Sequence, residues 1–253
     1  MKKIMEKKEI GKGTHWNVSR ITTDKGTVIH KESAKGGVDE NIENYTLVNN
    51  CGLSTLKRYE KIDNQTIETE DLNQNPKNGY FVTPNTIRNS TTCADILMKL
   101  ISGKDISKSE SEECIEFDFP CLVKNLTDGN IDILRNKKII SSIAEAEVYK
   151  NKIEEITNLD FFLNNAKIDM QKASQANIEL FSDAFFYRVK PIVYEIEYII
   201  ADFDCIIHHC DEISEEVLFN GNMEYLKTSL REFITYFVIN KKHNEYFEII
   251  NKY

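Results

Sequence analysis

Proline and glycine are scarce, at 4 and 10 of 253 residues. That excludes collagen-like, low-complexity and linker-dominated chains, which need these residues in quantity. No apolar run approaches the roughly 18 residues of a membrane-spanning helix, so no membrane partner is expected. Residues 1–10 are basic and polar and lack the apolar stretch of a secretory signal. A cytoplasmic location is expected, and delivery into a host cell by a specialised secretion system would leave no mark here. Positive charge is in deficit, with 32 Lys and Arg against 41 Asp and Glu and a net charge of -9. Long-range attraction to nucleic acid is therefore not expected. The basic cluster Arg135, Lys137 and Lys138 reads as a solvated face. None of the 6 cysteines forms a Cys-x-x-Cys pair, which speaks for reduced thiols rather than a disulfide framework. His208, His209 and Cys210 have no second cluster to complete a tetrahedral metal shell.

What is present suits a packed protein. Hydrophobic residues make up 41% of the chain, enough for a core of one large domain or two small lobes. The first part is rich in β signals. Runs at 10–20 and 26–31 flank Thr23-Asp24-Lys25-Gly26, a hairpin signature. Val38, Ile42, Tyr45 and Val48 recur at helical spacing, and Gly52 follows as a helix stop. Runs at 56–62 and 66–72 read as two more strands around Asp63-Asn64. The stretch 73–79 holds Pro76 and Gly79 and is the best boundary candidate, dividing 1–73 from 74–253. Beyond it the pattern is helical at 92–102, through 139–173 and over 222–252, with a polar acidic loop at 107–116. Aromatic and β-branched runs at 181–189 and 195–205, around Pro191, are expected as short strands within that helical half.

Three features point toward phosphate chemistry. Gly11 and Gly13, followed by Val18, lead into a strand, and glycines let backbone amides approach phosphate oxygens. Lys31 ends an apolar strand, where its ammonium can meet the same oxygens. A helix with Glu40 and Glu43 follows, and a carboxylate there can pair with Lys31.

The order of glycine loop, strand lysine, helix glutamate and two further strands resembles the N-terminal lobe of the protein-kinase-like superfamily. The likeness extends to minimal bacterial effector kinases and aminoglycoside phosphotransferase relatives. It implies an α+β fold of two lobes, a small antiparallel β lobe with one helix at 1–73 and a mainly helical lobe at 74–253. Gly11, Gly13 and Val18 match the nucleotide loop, with Trp16 where the family often has its third glycine. Lys31 matches the strand lysine, Glu43 the helix glutamate with Glu40 in reserve, and Glu70 and Leu72 fall in the hinge that meets adenine. In the second half Asp202-Phe203-Asp204 ends an apolar strand and resembles the family's Asp-Phe-Gly. That implies Mg2+ ligation by Asp202, with Asp204 as a second metal carboxylate. Asp183 stands upstream as the implied catalytic base.

The departures are specific. Arg188 occupies the place of the metal-binding Asn, and a cation does not ligate Mg2+. Phe181 and Ser182 replace the His and Arg before the catalytic Asp. The expected activity is ATP- and Mg2+-dependent phosphoryl transfer to the hydroxyl of a protein Ser/Thr or of a small molecule. A pseudokinase that binds a partner without transferring phosphate, and a plain interaction protein whose glycine loop is only a turn, are the alternatives.

Overall fold

The computed structural model describes residues 3–12, 15–33, 35–83, 153–210 and 213–253. The expectations for Gly13, for Cys93, Cys114 and Cys121, for the basic cluster, and for the segments at 92–102, 107–116 and 139–152 lie outside the described residues.

The first part is an antiparallel sheet of five strands with one helix. Its strands are β1 (Ile4–Lys12), β2 (Trp16–Thr23), β3 (Gly26–Ser33), β4 (Tyr59–Lys61) and β5 (Thr66–Glu70), in spatial order β1-β2-β3-β5-β4. The run at 10–20, expected as one strand, is the end of β1 and most of β2. The upstream half of β1 escaped notice because Ile4, Met5, Glu6 and Lys7 are all exposed on an edge strand, so no hydrophobic alternation marks it. The β2–β3 hairpin forms where its turn residues predict. Gly26 adopts a φ of 121°, and the Thr23 hydroxyl donates to the Gly26 carbonyl at 2.8 Å.

Helix α1 (Val38–Asn50) forms over the stretch of helical spacing and ends just before Gly52. Asp39 and Glu40 in its first turn favour the positive end of the helix dipole. It ends in a glycine cap: the Gly52 N–H reaches the Asn49 carbonyl at 3.0 Å and the Leu53 N–H reaches that of Val48 at 3.3 Å. Gly52, at a φ of 67°, permits the reversal, and buried Leu53 closes over buried Val48.

The second described part packs helices around two small strand pairs. Its elements are α2 (Leu159–Gln175), β6 (Ile178–Leu180), β7 (Phe185–Val189), β8 (Ile196–Ile200), β9 (Ile206–His208), α3 (Glu215–Phe237) and α4 (His243–Ile250), with single 3-10 turns at Ser182–Ala184 and Phe203–Cys205. β6 pairs with β9 and β7 with β8, both antiparallel. The run at 195–205, expected as one strand, breaks after Ile200 into a bend and a 3-10 turn. α2 buries Leu159, Phe162, Leu163, Ala166, Met170 and Ala173 along one stripe. α3 starts at Glu215, earlier than the expected 222. The turn-prone Asn220-Gly221-Asn222 hid that first stretch. Asn222 has a different task there: fully buried, it accepts the Leu180 N–H at 2.8 Å and donates to the Ile178 carbonyl at 2.9 Å.

Backbone hydrogen bonds tie the parts at two places. The Ile200 N–H donates to the Ser54 carbonyl at 2.8 Å, just past α1. Val82 and Tyr187 exchange N–H and carbonyl, each at 2.8 Å. One cluster of buried side chains runs from Trp16 and Val48 through Phe203 and Tyr187 to Ile250. The architecture is α+β, with helices interspersed among antiparallel sheets.

Candidate functional site

Antiparallel register builds the first half of the site. Lys31 on β3 lies opposite Val18 on β2 and Ile67 on β5, so these three share a face of the sheet, and Trp16 is two residues along from Val18 on the same face. The Lys31 side chain is 12% exposed. Its ammonium is 3.7 Å from the Asp202 carboxylate and lies 5.0 Å from the centre of the Trp16 ring and 5.8 Å from that of Tyr59. Burial opposes the ammonium's charge, but Tyr59, Asp202 and Asp204 outweigh it and hold the Lys31 pKa above its ordinary value.

The second half is the bend that follows β8. Phe203 is fully buried and packs edge-on against Tyr59 at 4.7 Å and Tyr45 at 5.4 Å between ring centres. That anchor turns Asp202 and Asp204 toward the sheet. Both oxygens of Asp204 accept protein donors, the Trp16 indole N–H on Oδ2 and the Asn41 amide on Oδ1. Asn44, one turn along α1, donates to the carbonyls of Phe203 at 2.9 Å and Ile206 at 3.3 Å. Asp202 is half-buried. Burial raises its pKa, with repulsion from Asp204 and Asp183 adding to the effect and Lys31 opposing it. Burial and the same carboxylates push the neighbouring Cys205 thiol far up, which keeps it protonated and inert.

Asp183 sits in the turn before β7. Backbone bonds bracket it: Phe181 N–H to the Cys205 carbonyl and Ala201 N–H to the Ala184 carbonyl, each 3.0 Å. These hold the turn against both flanks of Asp202, so Asp183 acts on Asp202 and Cys205 through its charge. The structure therefore brings Lys31, Asp183, Asp202 and Asp204 into one neighbourhood, with Val18 opposite the lysine.

It does not bring Glu43 there. Glu43 and Glu40 are exposed, and no ion pair joins either to Lys31 among the described residues. The inward side of α1 carries Val38, Asn41, Asn44 and Val48 instead. Gly11 faces Val18 across β1 and β2. Glu70 lies on the sheet face opposite Lys31, and its carboxylate accepts the Lys57 N–H at 2.5 Å, while Leu72 packs on the core. Arg188 turns its guanidinium to Glu197 and over the Phe81 ring, 4.2 Å from its centre. His209 pairs with Glu179 at 2.8 Å, and no group of three His, Cys, Asp or Glu side chains able to hold a metal occurs among the described residues.

Sequence reasoning missed Asn41, Asn44 and Tyr59 as parts of the site and read Trp16 only as a substitute for a glycine. A signal for the asparagines existed. Val38, Asn41, Asn44 and Val48 recur at spacings of three and four, so two amides lie on the apolar stripe of α1. Buried amides need partners, and partners of that kind mark a polar site.

No family model matches the chain, and no curated protein does. Among solved structures, the chain is similar to a crystal structure of spectinomycin phosphotransferase, APH(9)-Ia, in complex with ADP and spectinomycin. The identity is 10% and the TM-score 0.25, over 97% of this chain and 78% of that one. At that score the similarity carries no argument, and the functional reading rests on the geometry of this chain.

Proposed function

We propose that this chain has a bilobal protein-kinase-like fold and transfers the terminal phosphate of ATP to a hydroxyl. One observation carries the reading: Lys31 from the sheet and Asp202 from the bend after β8 meet at 3.7 Å. A buried cation beside a half-open carboxylate suits a nucleotide whose phosphates need one charge of each kind around them. Lys31 binds phosphate oxygens. Asp202 is the carboxylate toward Mg2+, with Asp183 behind it. The donor set fits, because Mg2+ takes hard oxygen ligands and needs only one or two carboxylates when phosphates and water complete its shell. Bound there, Mg2+ supplies charge neutralisation on the phosphates. Asp183 accepts the proton of the acceptor hydroxyl, whose oxygen forms the new bond to phosphorus as the bond to ADP breaks. Gly11, Gly13 and Val18 cover the nucleotide, and the segment from Glu70 to Leu72 meets adenine. The acceptor is a protein Ser/Thr or a small-molecule hydroxyl.

A second reading, a nucleotide-binding pseudokinase, is favoured by two contacts. Both oxygens of Asp204 are engaged by protein donors, and Arg188, whose guanidinium is a donor that cannot ligate a metal, is held by Glu197.

The test is binding and transfer measured together. ATP with Mg2+ at a hundred times its dissociation constant stabilises by about 2.7 kcal/mol. Radiolabelled ATP is then given to the protein alone, with cell extract and with a panel of aminoglycosides. Asp183→Asn is expected to lose about 10²- to 10⁴-fold in transfer while still binding ATP. Asp202→Asn is expected to weaken Mg2+-ATP binding as well. Binding without transfer by the wild type moves the assignment to the pseudokinase. Neither binding nor transfer overturns both readings.

A further inference from the structure

Asp204 follows closely on Asp202, the carboxylate toward Mg2+, yet its surroundings give it a different task. An ionised carboxylate only accepts hydrogen bonds. Its Oδ2 takes the indole N–H of Trp16, which opens β2, and its Oδ1 takes Nδ2 of Asn41 on α1. The other end of that amide is fixed as well, because Asn41 Oδ1 accepts the Tyr59 hydroxyl. Asp204 itself is exposed, but Trp16 is 6% exposed and Asn41 1%, so removing the carboxylate strands donors that are shielded from water. The chain on either side of Asp204 is held from the same helix, since Asn44 donates to the carbonyls of Phe203 and Ile206.

We propose that Asp204 is a clasp rather than a metal ligand: it closes the bend after β8 onto β2 and α1 and so positions Asp202 opposite Lys31. The consequence for Mg2+ rests on the phosphotransfer reading above. Asp204, Trp16 and Asn41 are positioning residues. The place requires two acceptors that face different elements. A carboxylate supplies both, and each bond is strengthened by its charge. An amide supplies one oxygen and turns its own N–H groups against either Trp16 or Asn41. The Trp16 ring lies 5.0 Å from the Lys31 ammonium, so the clasp and the lysine share one wall of the site. A shift of β2 or α1 therefore moves Asp202 relative to Lys31.

The directions of these bonds dictate a pair of substitutions that should rescue each other. Asp204→Asn alone sets an N–H against one of the two donors, and Asn41→Asp alone sets two carboxylates against each other. Together they exchange amide and carboxylate. The carboxylate at position 41 then accepts the Tyr59 hydroxyl and the amide N–H from position 204, whose oxygen accepts the Trp16 indole N–H. All the bonds of the clasp return.

The test compares both single variants and the double variant of the full chain. Trp16 is the chain's single tryptophan, so its indole N–H gives one NMR resonance that reports the clasp without ligand. That resonance should move and exchange at least about tenfold faster in each single variant, and return in the double. Tm should fall by about 3–12 °C in each single variant and come back to within about 3 °C of the wild type in the double. Mg2+-ATP binding, read by thermal shift, should weaken about tenfold in each single variant and recover to within about threefold in the double. Losses that add in the double variant overturn the clasp. Recovery of the indole resonance and Tm without recovery of Mg2+-ATP binding also overturns the proposal, because the carboxylate is then needed at position 204 itself, as a metal ligand needs it. Failure of the wild type to bind ATP sinks the phosphotransfer reading, and the clasp is then decided by the indole resonance and Tm.

Discussion

Adjacent residues on α1 give the sharpest test of how this site is built. Glu43 is the residue that the sequence pattern pairs with Lys31, yet it is exposed. Asn44 is 8% exposed and spans the carbonyls of Phe203 and Ile206 at 2.9 and 3.3 Å. Asn44→Ala removes the donor from two buried carbonyls. Each buried polar group left without its partner costs about 1–3 kcal/mol, and the 3.3 Å bond is the weaker of the pair. The expected loss is about 2–3 kcal/mol. For a chain of this size that lowers Tm by about 4–12 °C. Glu43→Ala removes an exposed side chain and should stay within about 0.5 kcal/mol of the wild type. Thermal unfolding followed by circular dichroism, with and without Mg2+-ATP, compares the two. Asn44→Ala should be the less stable by several degrees, and Glu43→Ala should keep the nucleotide response. If Glu43→Ala is the more damaging, or alone abolishes the nucleotide response, the inward face of α1 is misassigned and the argument built on Asn41 and Asn44 fails with it.

The pH dependence of Asp202 gives another expectation. Burial and neighbouring carboxylates raise its folded-state pKa, so its contribution to stability is fully present below the ordinary carboxylate pKa and is lost as pH rises through the folded value. Asp202→Asn should therefore raise the Tm of the ligand-free protein at neutral pH and leave it unchanged in acid, where both forms are neutral; a lower Tm at neutral pH would contradict the sign. Gly79 has a φ of +79°, and a Cβ placed there would lie 2.6 Å from the Val189 carbonyl oxygen. Gly79→Ala should cost more than the roughly 1–2 kcal/mol of a left-handed residue alone, read as a lower denaturant midpoint at constant slope. Asn222→Leu leaves the Leu180 N–H and Ile178 carbonyl without partners inside the core. It should destabilise by about 2–4 kcal/mol and speed amide exchange in β6, and protection equal to the wild type would count against a structural role for that amide.

Much of the local structure was legible because it depends on neighbours in the chain. The turn at Thr23–Gly26 follows from the freedom of Gly26. The bounds of α1 follow from the spacing of Val38, Ile42, Tyr45 and Val48 and from the reversal at Gly52. Lys31 stands out as a charge closing an apolar strand, whereas Asp183, Asp202 and Asp204 were expected from the resemblance of their motifs to the kinase-like family. The beginning of β1 and the first turns of α3 were missed for a related reason. Charged residues on an edge strand show no alternation, and Asn220-Gly221-Asn222 carries a turn signal that a buried role for Asn222 overrides.

What the chain order could not reveal is which side chain each polar residue meets. Helical spacing constrains α1 to a stripe, and both Glu43 and Asn44 lie near its edge. A rotation of about 100° separates adjacent residues on a helix, so the choice between them depends on how α1 is rolled against the rest of the molecule. Packing of Tyr45 and Val48 decides that roll, because Phe203, from the far end of the sequence, sets its ring edge-on against both Tyr45 and Tyr59, which also touch each other. The sequence by itself determined the elements and the residues with charge to offer. Tertiary structure alone decided that Lys31 answers to Asp202, since residues separated by more than 150 positions become neighbours only when the apolar surfaces between them are buried.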